Sequence, residues 1–208
     1  MAIKVVGIVG SYRKDKTIDS AVSAILEGAK DKGAETKKIY LLDKQIEFCT
    51  NCRSCAQEQV EGRRGKCVHN DDMDNILTEI DDADAVVLGS PVNFSTVTAL
   101  MKRFIERLIP YGYWPWGGAL APVNRIVKAD KKAVIVTSSA CPAFLGRILM
   151  PGALGTLKKA AKVMGAKVIK SLYFGPVAGR EDSQLSEKAF RKARKAGGEL
   201  VRHVQANR

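Results

Sequence analysis

The stretch Ile3-Lys-Val-Val-Gly-Ile-Val-Gly-Ser-Tyr-Arg-Lys-Asp-Lys-Thr-Ile-Asp-Ser20 decides the fold. Residues 3–9 form a β-branched apolar run that is too short for a typical buried helix, and such runs are typical of central strands in parallel sheets. After a polar loop, apolar residues recur at helical spacing until Gly33, at Ala21, Val22, Ile25, Leu26 and Ala29. The stretch therefore predicts a strand, a polar loop and a helix in that order.

The loop between this strand and this helix is rich in groups that bind phosphate. The hydroxyls of Ser11, Thr17 and Ser20 can address one phosphate together with backbone N–H groups at the start of the helix. The Arg13 guanidinium adds a charged donor. A turn that ends in an Asp19 or Ser20 N-cap explains polar residues here but not their number. We therefore predict a phosphate site in this loop.

The rest of the chain repeats the alternation of strand and helix. Strands are predicted at residues 35–42, 84–89, 132–138 and 166–173, and helices from Asp72 onward, at 96–108, 151–164 and 183–205. Either Asp71 or Asp72 is the predicted N-cap of the second helix. Five strands that alternate with helices favour a doubly wound parallel α/β sheet, in which the loops after strands one, three and four border one ligand crevice. We expect residues 1–208 to form a single domain of this kind.

Composition and charge limit the function further. The chain has 208 residues, 46% of them apolar, which suits a globular domain with a substantial core. No apolar run approaches the ~20 residues of a membrane span, and the N-terminal run indicates a strand rather than a signal peptide. We therefore expect a cytoplasmic protein with no membrane association.

The net charge of +12 indicates solvated helix faces or attraction of an acidic redox partner or anionic cofactor. Because no recognised nucleic-acid module accompanies it, we expect no nucleic-acid partner.

Four of the five cysteines lie within nineteen residues. Cys49, Cys52 and Cys55 have two-residue spacing, and Cys67 follows after eleven intervening residues. In a reducing compartment such a cluster indicates metal binding or redox chemistry rather than disulfides. The residues alone leave three interpretations open: an iron–sulfur cluster on four thiolates, free thiols or a redox pair, and a zinc ion held by the four cysteines or by three of them with His69.

Residues 109–131 show no clear periodicity and contain both tryptophans, Trp114 and Trp116. One interpretation of this aromatic insertion is a surface loop pinned by its aromatic side chains. The other is a lid or subunit contact that shields an aromatic ligand. The sequence pattern favours neither interpretation over the other.

Three motifs together resemble the NADPH-dependent FMN reductase family. They are Gly10-Ser-Tyr-Arg-Lys14 after the first strand, Gly89-Ser-Pro-Val-Asn-Phe94 after the third, and Met101-Lys-Arg-Phe-Ile-Glu-Arg107 in the next helix. With the cysteine run and Gly65-Lys-Cys-Val68 ahead of Asp71, the chain is most similar to the iron–sulfur flavoprotein branch of that family. The resemblance implies a flavodoxin-like five-stranded sheet of order 2-1-3-4-5, an FMN cofactor and flavin-dependent oxidoreductase activity.

The resemblance also implies the FMN contacts, position by position. Residues of the first loop and helix start are expected at the phosphate, the last two through their backbone: Ser11, Arg13, Thr17, Ile18 and Asp19. Residues after the third and fourth strands are expected around the isoalloxazine ring: Pro91, Val92, Asn93, Phe94, Ser95, Ser138, Ser139, Ala140 and Cys141. The family often has Tyr where this chain has Asn93, so an amide replaces a stacking ring there. The resemblance assigns no catalytic acid or base.

For the cysteine run, the resemblance implies a 4Fe-4S cluster on Cys49, Cys52, Cys55 and Cys67. A ferredoxin-like or NAD(P)H donor would supply electrons, FMN would pass them to a small-molecule acceptor, and the chain would form a homodimer or homotetramer. The predicted cysteine loop, residues 47–70, is longer before its fourth cysteine than in that branch. A longer loop costs at most ~1 kcal/mol more to close, so it does not exclude ligation. The sequence has no dinucleotide fingerprint, which leaves use of NAD(P)H undecided.

Overall fold

The computed structural model describes residues 2–59, 64–118, 120–128, 130–177 and 184–208. Its centre is a sheet of five strands: β1 (Lys4–Val9), β2 (Glu35–Tyr40), β3 (Ala85–Gly89), β4 (Lys131–Ser138) and β5 (Ala166–Phe174). Every neighbouring pair is parallel and the order is β2-β1-β3-β4-β5. This order confirms the predicted flavodoxin-like sheet, in which ligands bind beyond the carboxyl ends of the strands.

Helices cover both faces of the sheet. They are α1 (Thr17–Lys30), α2 (Asp72–Asp81), α3 (Ala99–Glu106), α4 (Ala143–Leu149), α5 (Gly152–Val163) and α6 (Glu187–Gln205). Alternate side chains of a strand point to opposite faces. Val5 and Val9 of β1 therefore pack with α1 and α6, whereas Val6 and Ile8 pack with α2, α3 and α5. The middle of each central strand is apolar because both faces of the sheet are covered there.

Glycines let α1 and α6 approach closely. A Cβ atom at Gly197 would overlap the backbone carbonyl oxygen of Ile25, and one at Gly28 would overlap the carbonyl oxygen of Arg194. At neighbouring Gly198 the nearest atom to such a Cβ is 3.6 Å away, an ordinary contact. The small residues at this crossing are therefore required by the packing of the two backbones.

Several predicted boundaries differ from the observed ones. Helix α3 begins at Ala99 rather than near residue 96, because residues 93–96 form a tight turn and Thr98 is the N-cap. Asp71 is confirmed as the N-cap of α2, since its carboxylate accepts from the N–H of Met73. Helix α6 begins at Glu187, and residue 183, where its start was predicted, lies outside the described residues. Helix α4 was not predicted, because its seven residues are mostly apolar and show no alternation.

The aromatic insertion is partly ordered. It contains a 3-10 turn (Ile109–Tyr111) and a small antiparallel hairpin that pairs Gly112–Tyr113 with Val123–Asn124. Within the described part of the chain, no helix combines the length and apolar character needed to cross a membrane.

Candidate functional site

The loops after β1, β3 and β4 meet at the carboxyl edge of the sheet. Gly10 donates its N–H to the carbonyl of Gly89 at 2.8 Å, and Val92 donates to the carbonyl of Ser138 at 2.8 Å. The next strand joins them, because Ser139 donates to the carbonyl of Phe174 at 3.0 Å. The structure therefore brings the three predicted ligand loops together along one edge.

Thr98 links the first loop to the start of α3. Its hydroxyl donates to the carbonyl of Gly10 at 2.8 Å and accepts from the N–H of Met101 at 3.1 Å. A Cβ at Gly10 would lie 2.6 Å from the Met101 Cβ, so only glycine fits this approach. The hydroxyl of Tyr12 in turn accepts from the N–H of Leu100 at 3.2 Å. The loop is thereby held at the helix start by several independent contacts.

The N-terminus of α1 faces this loop without a side-chain cap. The N-cap is Lys16, and no side-chain cap hydrogen bond is found there among the described residues. An Asp19 or Ser20 N-cap, the alternative to a phosphate site, is not what the structure has, because the helix begins at Thr17, before either residue. The first bond within the helix runs from Ser20 N–H to Lys16 carbonyl at 2.8 Å. The N–H groups of Ile18 and Asp19 thus belong to the helix turn that favours a bound anion.

Of the predicted phosphate hydroxyls, Ser11 is buried inside the loop. Its Oγ accepts from the N–H of Arg13 at 3.1 Å and lies 3.2 Å from the Arg13 carbonyl, to which it can donate. Thr17 is also buried, at the first position of α1, and Arg13 is exposed. The structure thus places all the predicted phosphate residues in one loop and helix start.

The carboxylate of Asp19 has a structural role that the sequence did not predict. Only 1% of the side chain is exposed. It accepts from the Asp15 N–H at 2.7 Å, the Lys38 ammonium at 3.0 Å and the Tyr40 hydroxyl at 2.8 Å. Burial alone would raise the pKa of Asp19, but these donors outweigh it and hold the pKa below the ordinary value. Asp19 can therefore offer a phosphate only its backbone, while its side chain ties the loop to β2.

The turn after β3 presents a bare aromatic ring. Asn93 and Thr96 exchange two backbone hydrogen bonds, of 2.8 and 3.1 Å. Between them Phe94 and Ser95 have φ angles of 47° and 67°, in the left-handed region that non-glycine residues seldom adopt. The Phe94 side chain is 98% exposed. Strained turns of this kind concentrate at ligand sites, where surrounding structure holds them.

The loop after β4 supplies the last predicted flavin residues. Ser138 and Ser139 are buried, Ala140 is exposed and Cys141 is half-buried. The Ser139 hydroxyl lies 3.2 Å from the Cys141 carbonyl and 3.3 Å from its sulfur. The loop is therefore stiffened by its own hydrogen bonds beside the crevice.

The four clustered thiols lie close enough together for their charges to interact. Burial, followed by the negative charges of Cys67, Cys49 and Cys52, raises the pKa of the Cys55 thiol to about 11. Cys52 is exposed, and hydrogen bonding from Ser54 lowers its pKa. Among the described residues, no group of three His, Cys, Asp or Glu side chains is placed to hold a metal ion. The thiols thus share one electrostatic environment, and their donor chemistry fits a cluster of soft metal ions.

Arg107 joins the two flanks of the cysteine loop. Its side chain is 2% exposed, and its guanidinium donates to the Glu47 carbonyl at 2.8 Å and to the Cys67 sulfur at 3.5 Å. It also forms a two-pronged ion pair with Asp71, at 2.6 and 3.1 Å. Burial opposes the charged form, but the hydrogen bond to Asp71 and the interactions with Cys67 and Asp71 outweigh it and raise the pKa of Arg107. Sequence reasoning missed this role, although a cation one turn after buried Phe104 on the apolar face of α3 was a usable signal.

The aromatic insertion packs on the cysteine loop. The guanidinium of Arg53 lies between the rings of Trp114 and Trp116, with its Cζ 3.6 and 3.9 Å from their centroids. It also donates to the Trp114 carbonyl at 2.6 Å, and the Trp114 N–H donates to the Ala56 carbonyl at 2.8 Å. Gly65 donates to the Pro110 carbonyl at 2.7 Å, just before the fourth cysteine. The tryptophans therefore support the residues between the cysteines.

The fold and its strand order define a class: flavodoxin-like α/β proteins. Residues 3–174 match the model of the family described as NADPH-dependent FMN reductase. The chain belongs to this family and is a flavin-dependent oxidoreductase that uses FMN.

Named relatives point to one branch of the family. The chain is 33% identical over 183 residues to an iron–sulfur flavoprotein of Archaeoglobus fulgidus, covering 81% of this chain and 80% of the relative. It is 38% identical over 108 residues to an iron–sulfur flavoprotein of Methanocaldococcus jannaschii, covering 52% and 53% of the two chains, so it spans only about half of that relative. Among solved structures, the chain is similar to an NAD(P)H:quinone oxidoreductase from Methanothermobacter marburgensis, with a TM-score of 0.68. The superposition covers 96% of this chain and 100% of the other at 20% sequence identity, which shows the shared fold.

Proposed function

We propose that the protein passes electrons from a low-potential, ferredoxin-like donor through a 4Fe-4S cluster to FMN, and from FMN to a small-molecule acceptor. FMN exchanges electrons singly or in pairs, so it can join a one-electron donor to a two-electron acceptor. The observation that carries the proposal is a set of four cysteines in the segment after β2 of a flavodoxin-like sheet, close enough together that three of them raise the pKa of Cys55.

The chain's own residues would hold FMN at the carboxyl edge. The helix turn at Ile18 and Asp19, with Ser11, Arg13 and Thr17, is the proposed phosphate site. The ring would lie against the Asn93–Thr96 turn and the Ser138–Cys141 loop. Backbone N–H groups and hydroxyls that are already fixed there would bind the cofactor without further ordering. An amide at Asn93 would offer hydrogen bonding where relatives often stack a tyrosine ring.

Cys49, Cys52, Cys55 and Cys67 would hold the cluster. The eleven-residue gap before Cys67 is closed by contacts at its end, where Gly65 donates to Pro110 and Arg64 pairs with Asp81 at 2.8 Å. The relatives' printed names, iron–sulfur flavoprotein, support the same cofactor. The net charge of +12 suits an acidic electron donor.

A second candidate is a cluster-free NAD(P)H-dependent FMN or quinone reductase. One observation favours it: Cys52 is an exposed thiol whose pKa is lowered by hydrogen bonding from Ser54. In that case the cysteines would be free or a redox pair. A zinc site on the same thiols, with or without His69, is a third occupant that metal analysis distinguishes.

The test is metal and flavin analysis of protein purified without oxygen. Wild type, Cys55→Ser and Cys141→Ser are assayed for iron, acid-labile sulfide, zinc and FMN. Cys141 is the matched control, since it is the one cysteine outside the loop. We expect iron and sulfide in equal amounts in wild type and Cys141→Ser, and their loss in Cys55→Ser with FMN retained. If the wild-type protein binds flavin but contains no iron, and every thiol can be alkylated, the cluster proposal is wrong and the cluster-free reductase is supported. Zinc in place of iron would refute both the cluster and the free-thiol proposals.

The homodimer or homotetramer implied by the resemblance is also a proposal. Helix α4 exposes Phe144, Ile148 and Leu149, an apolar surface that a second copy of the chain can cover. Multi-angle light scattering of the holoprotein measures the state directly. A monomer across the whole concentration range would contradict it.

A further inference from the structure

Arg107 occupies a position from which one side chain reaches both ends of the cysteine loop. It leaves the C-terminal end of α3, whose start is fixed to the loop after β1 by Thr98. Its guanidinium contacts Glu47, two residues before the first cysteine, and Cys67, the last one. The helix under the ligand edge thus supports the cysteines directly.

The donors of this guanidinium are used in a specific pattern. Nη1 donates to the Glu47 carbonyl and one oxygen of Asp71, while Nη2 donates to the other oxygen and to the Cys67 sulfur. All four terminal N–H bonds are therefore spent on partners from three separate points of the chain. An ammonium group has three donors and no planar fork, so lysine cannot reproduce this arrangement.

We infer that Arg107 is a positioning residue for the cysteine-held cofactor: it fixes Cys67 against the opposite flank of the loop, and its N–H···S hydrogen bond makes one-electron reduction of a bound cluster easier. The inference rests on the proposed function. It goes beyond that proposal by assigning the control of the reduction potential to one residue outside the cysteine loop.

The physical argument concerns the charge added on reduction. A reduced cluster carries one more negative charge than the oxidised one, shared with its thiolates. A donor hydrogen bond to a ligand sulfur therefore stabilises the reduced form more than the oxidised form and raises the potential. The Arg107–Asp71 pair is shielded from water, with the two side chains 2% and 4% exposed, so its effect on Cys67 is weakly screened.

Asp71 acts in the opposite direction. Its carboxylate neutralises the guanidinium and is itself held by the N–H groups of Glu47 and Met73. Removing its charge while keeping its shape would leave the Arg107 cation uncompensated beside Cys67. Substitutions of Arg107 and of Asp71 should therefore shift the reduction potential of the cluster in opposite directions. A purely structural role of Arg107 does not predict opposite shifts.

The experiment measures the midpoint potential of the cluster by anaerobic dithionite titration in wild type, Arg107→Lys, Asp71→Asn and Arg103→Lys. Iron content is measured on the same samples. Arg103 is the matched control: it lies one turn earlier on α3, and in the described part of the chain its guanidinium lies over the Phe48 ring, 5.5 Å from the centroid. We expect Arg107→Lys to disfavour the reduced form about tenfold, a fall of about 59 mV for a one-electron couple. Asp71→Asn should shift the midpoint upward, and Arg103→Lys should leave it unchanged.

Each other outcome counts against the inference. Iron-loaded Arg107→Lys and Asp71→Asn with the wild-type midpoint, or shifts of the same sign, would show that Arg107 only supports the fold. Loss of iron from both Arg107→Lys and Asp71→Asn, with full iron content in Arg103→Lys, would show that Arg107 acts only in cluster assembly. That result would overturn the inference that Arg107 sets the reduction potential. A wild-type protein without iron would overturn the proposed cluster itself, which separates the two failures.

Discussion

The carboxylate of Asp19 should stabilise the loop after β1 in a way that depends on pH. In Asp19→Asn the side chain keeps its shape but loses its charge, and its amide NH2 faces donors instead of accepting from them. Hydrogen bonds to a charged group contribute about 1.5–3 kcal/mol each. Three donors contact Asp19, but the Lys38 side chain is 29% exposed and its share is screened. Because the other two hydrogen bonds are not screened in this way, we expect the substitution to lower the free energy of unfolding by about 3–5 kcal/mol at pH 7.

The sign of the pH dependence follows from the lowered pKa of Asp19. A carboxyl group whose pKa is lower in the folded chain than in the unfolded chain stabilises the fold fully above the unfolded value, 3.8. This contribution is lost as the pH falls through the folded value. The stability difference between wild type and Asp19→Asn should therefore be constant from about pH 7 to pH 5 and shrink below about pH 4.

Urea unfolding at several pH values measures this difference. Asp31→Asn is the matched control, because Asp31 also pairs with a cation, Arg194, but both side chains are about half exposed. We expect its midpoint to stay near that of wild type. An Asp19→Asn midpoint equal to that of Asp31→Asn, or a difference that grows as the pH falls, would refute the reasoning.

Two further substitutions test the packing around the site. Arg53→Lys keeps the positive charge but loses the flat contact of the guanidinium with the two indole rings. We expect a free energy of unfolding about 1–2 kcal/mol lower and an altered tryptophan emission, both measured by urea unfolding with fluorescence detection. An unchanged emission would contradict the contact of Arg53 with the two tryptophans. Gly197→Ala should cost about 2–3 kcal/mol because its Cβ meets the α1 backbone. Gly198→Ala should be neutral or slightly stabilising, since alanine favours a helix, and equal thermal midpoints for the two would count against the close crossing.

The regular part of the fold was predictable from sequence. Buried parallel strands give unbroken β-branched runs, and helices that cover them repeat apolar residues every three or four positions, so each of the five strands was placed to within two residues. Asp71 was a predictable cap because its side chain acts within its own helix turn. These features depend on local chemistry alone.

The supporting contacts of the site were not predictable from sequence. Arg53 meets Trp114, and Arg107 meets Cys67, only after the chain has folded, because the partners are 61 and 40 positions apart in the sequence. The position of Asp19 indicated a helix cap or a phosphate contact. In the structure, Lys38 and Tyr40 of β2 donate hydrogen bonds to its carboxylate instead. A long-range ion pair leaves no periodic signal in the sequence, so the role of the Asp19 carboxylate could not be predicted from its neighbours in the chain.

The central claim is that one chain carries both FMN and a cluster, and a reductive titration tests it most directly. Anaerobic holoprotein is titrated with dithionite, and the electrons consumed per chain are counted from the absorption spectrum. We predict about three electrons, two for the flavin and one for the cluster, with loss of the broad visible absorption of iron–sulfur charge transfer. Uptake of about two electrons, with a spectrum of flavin alone, would contradict the claim.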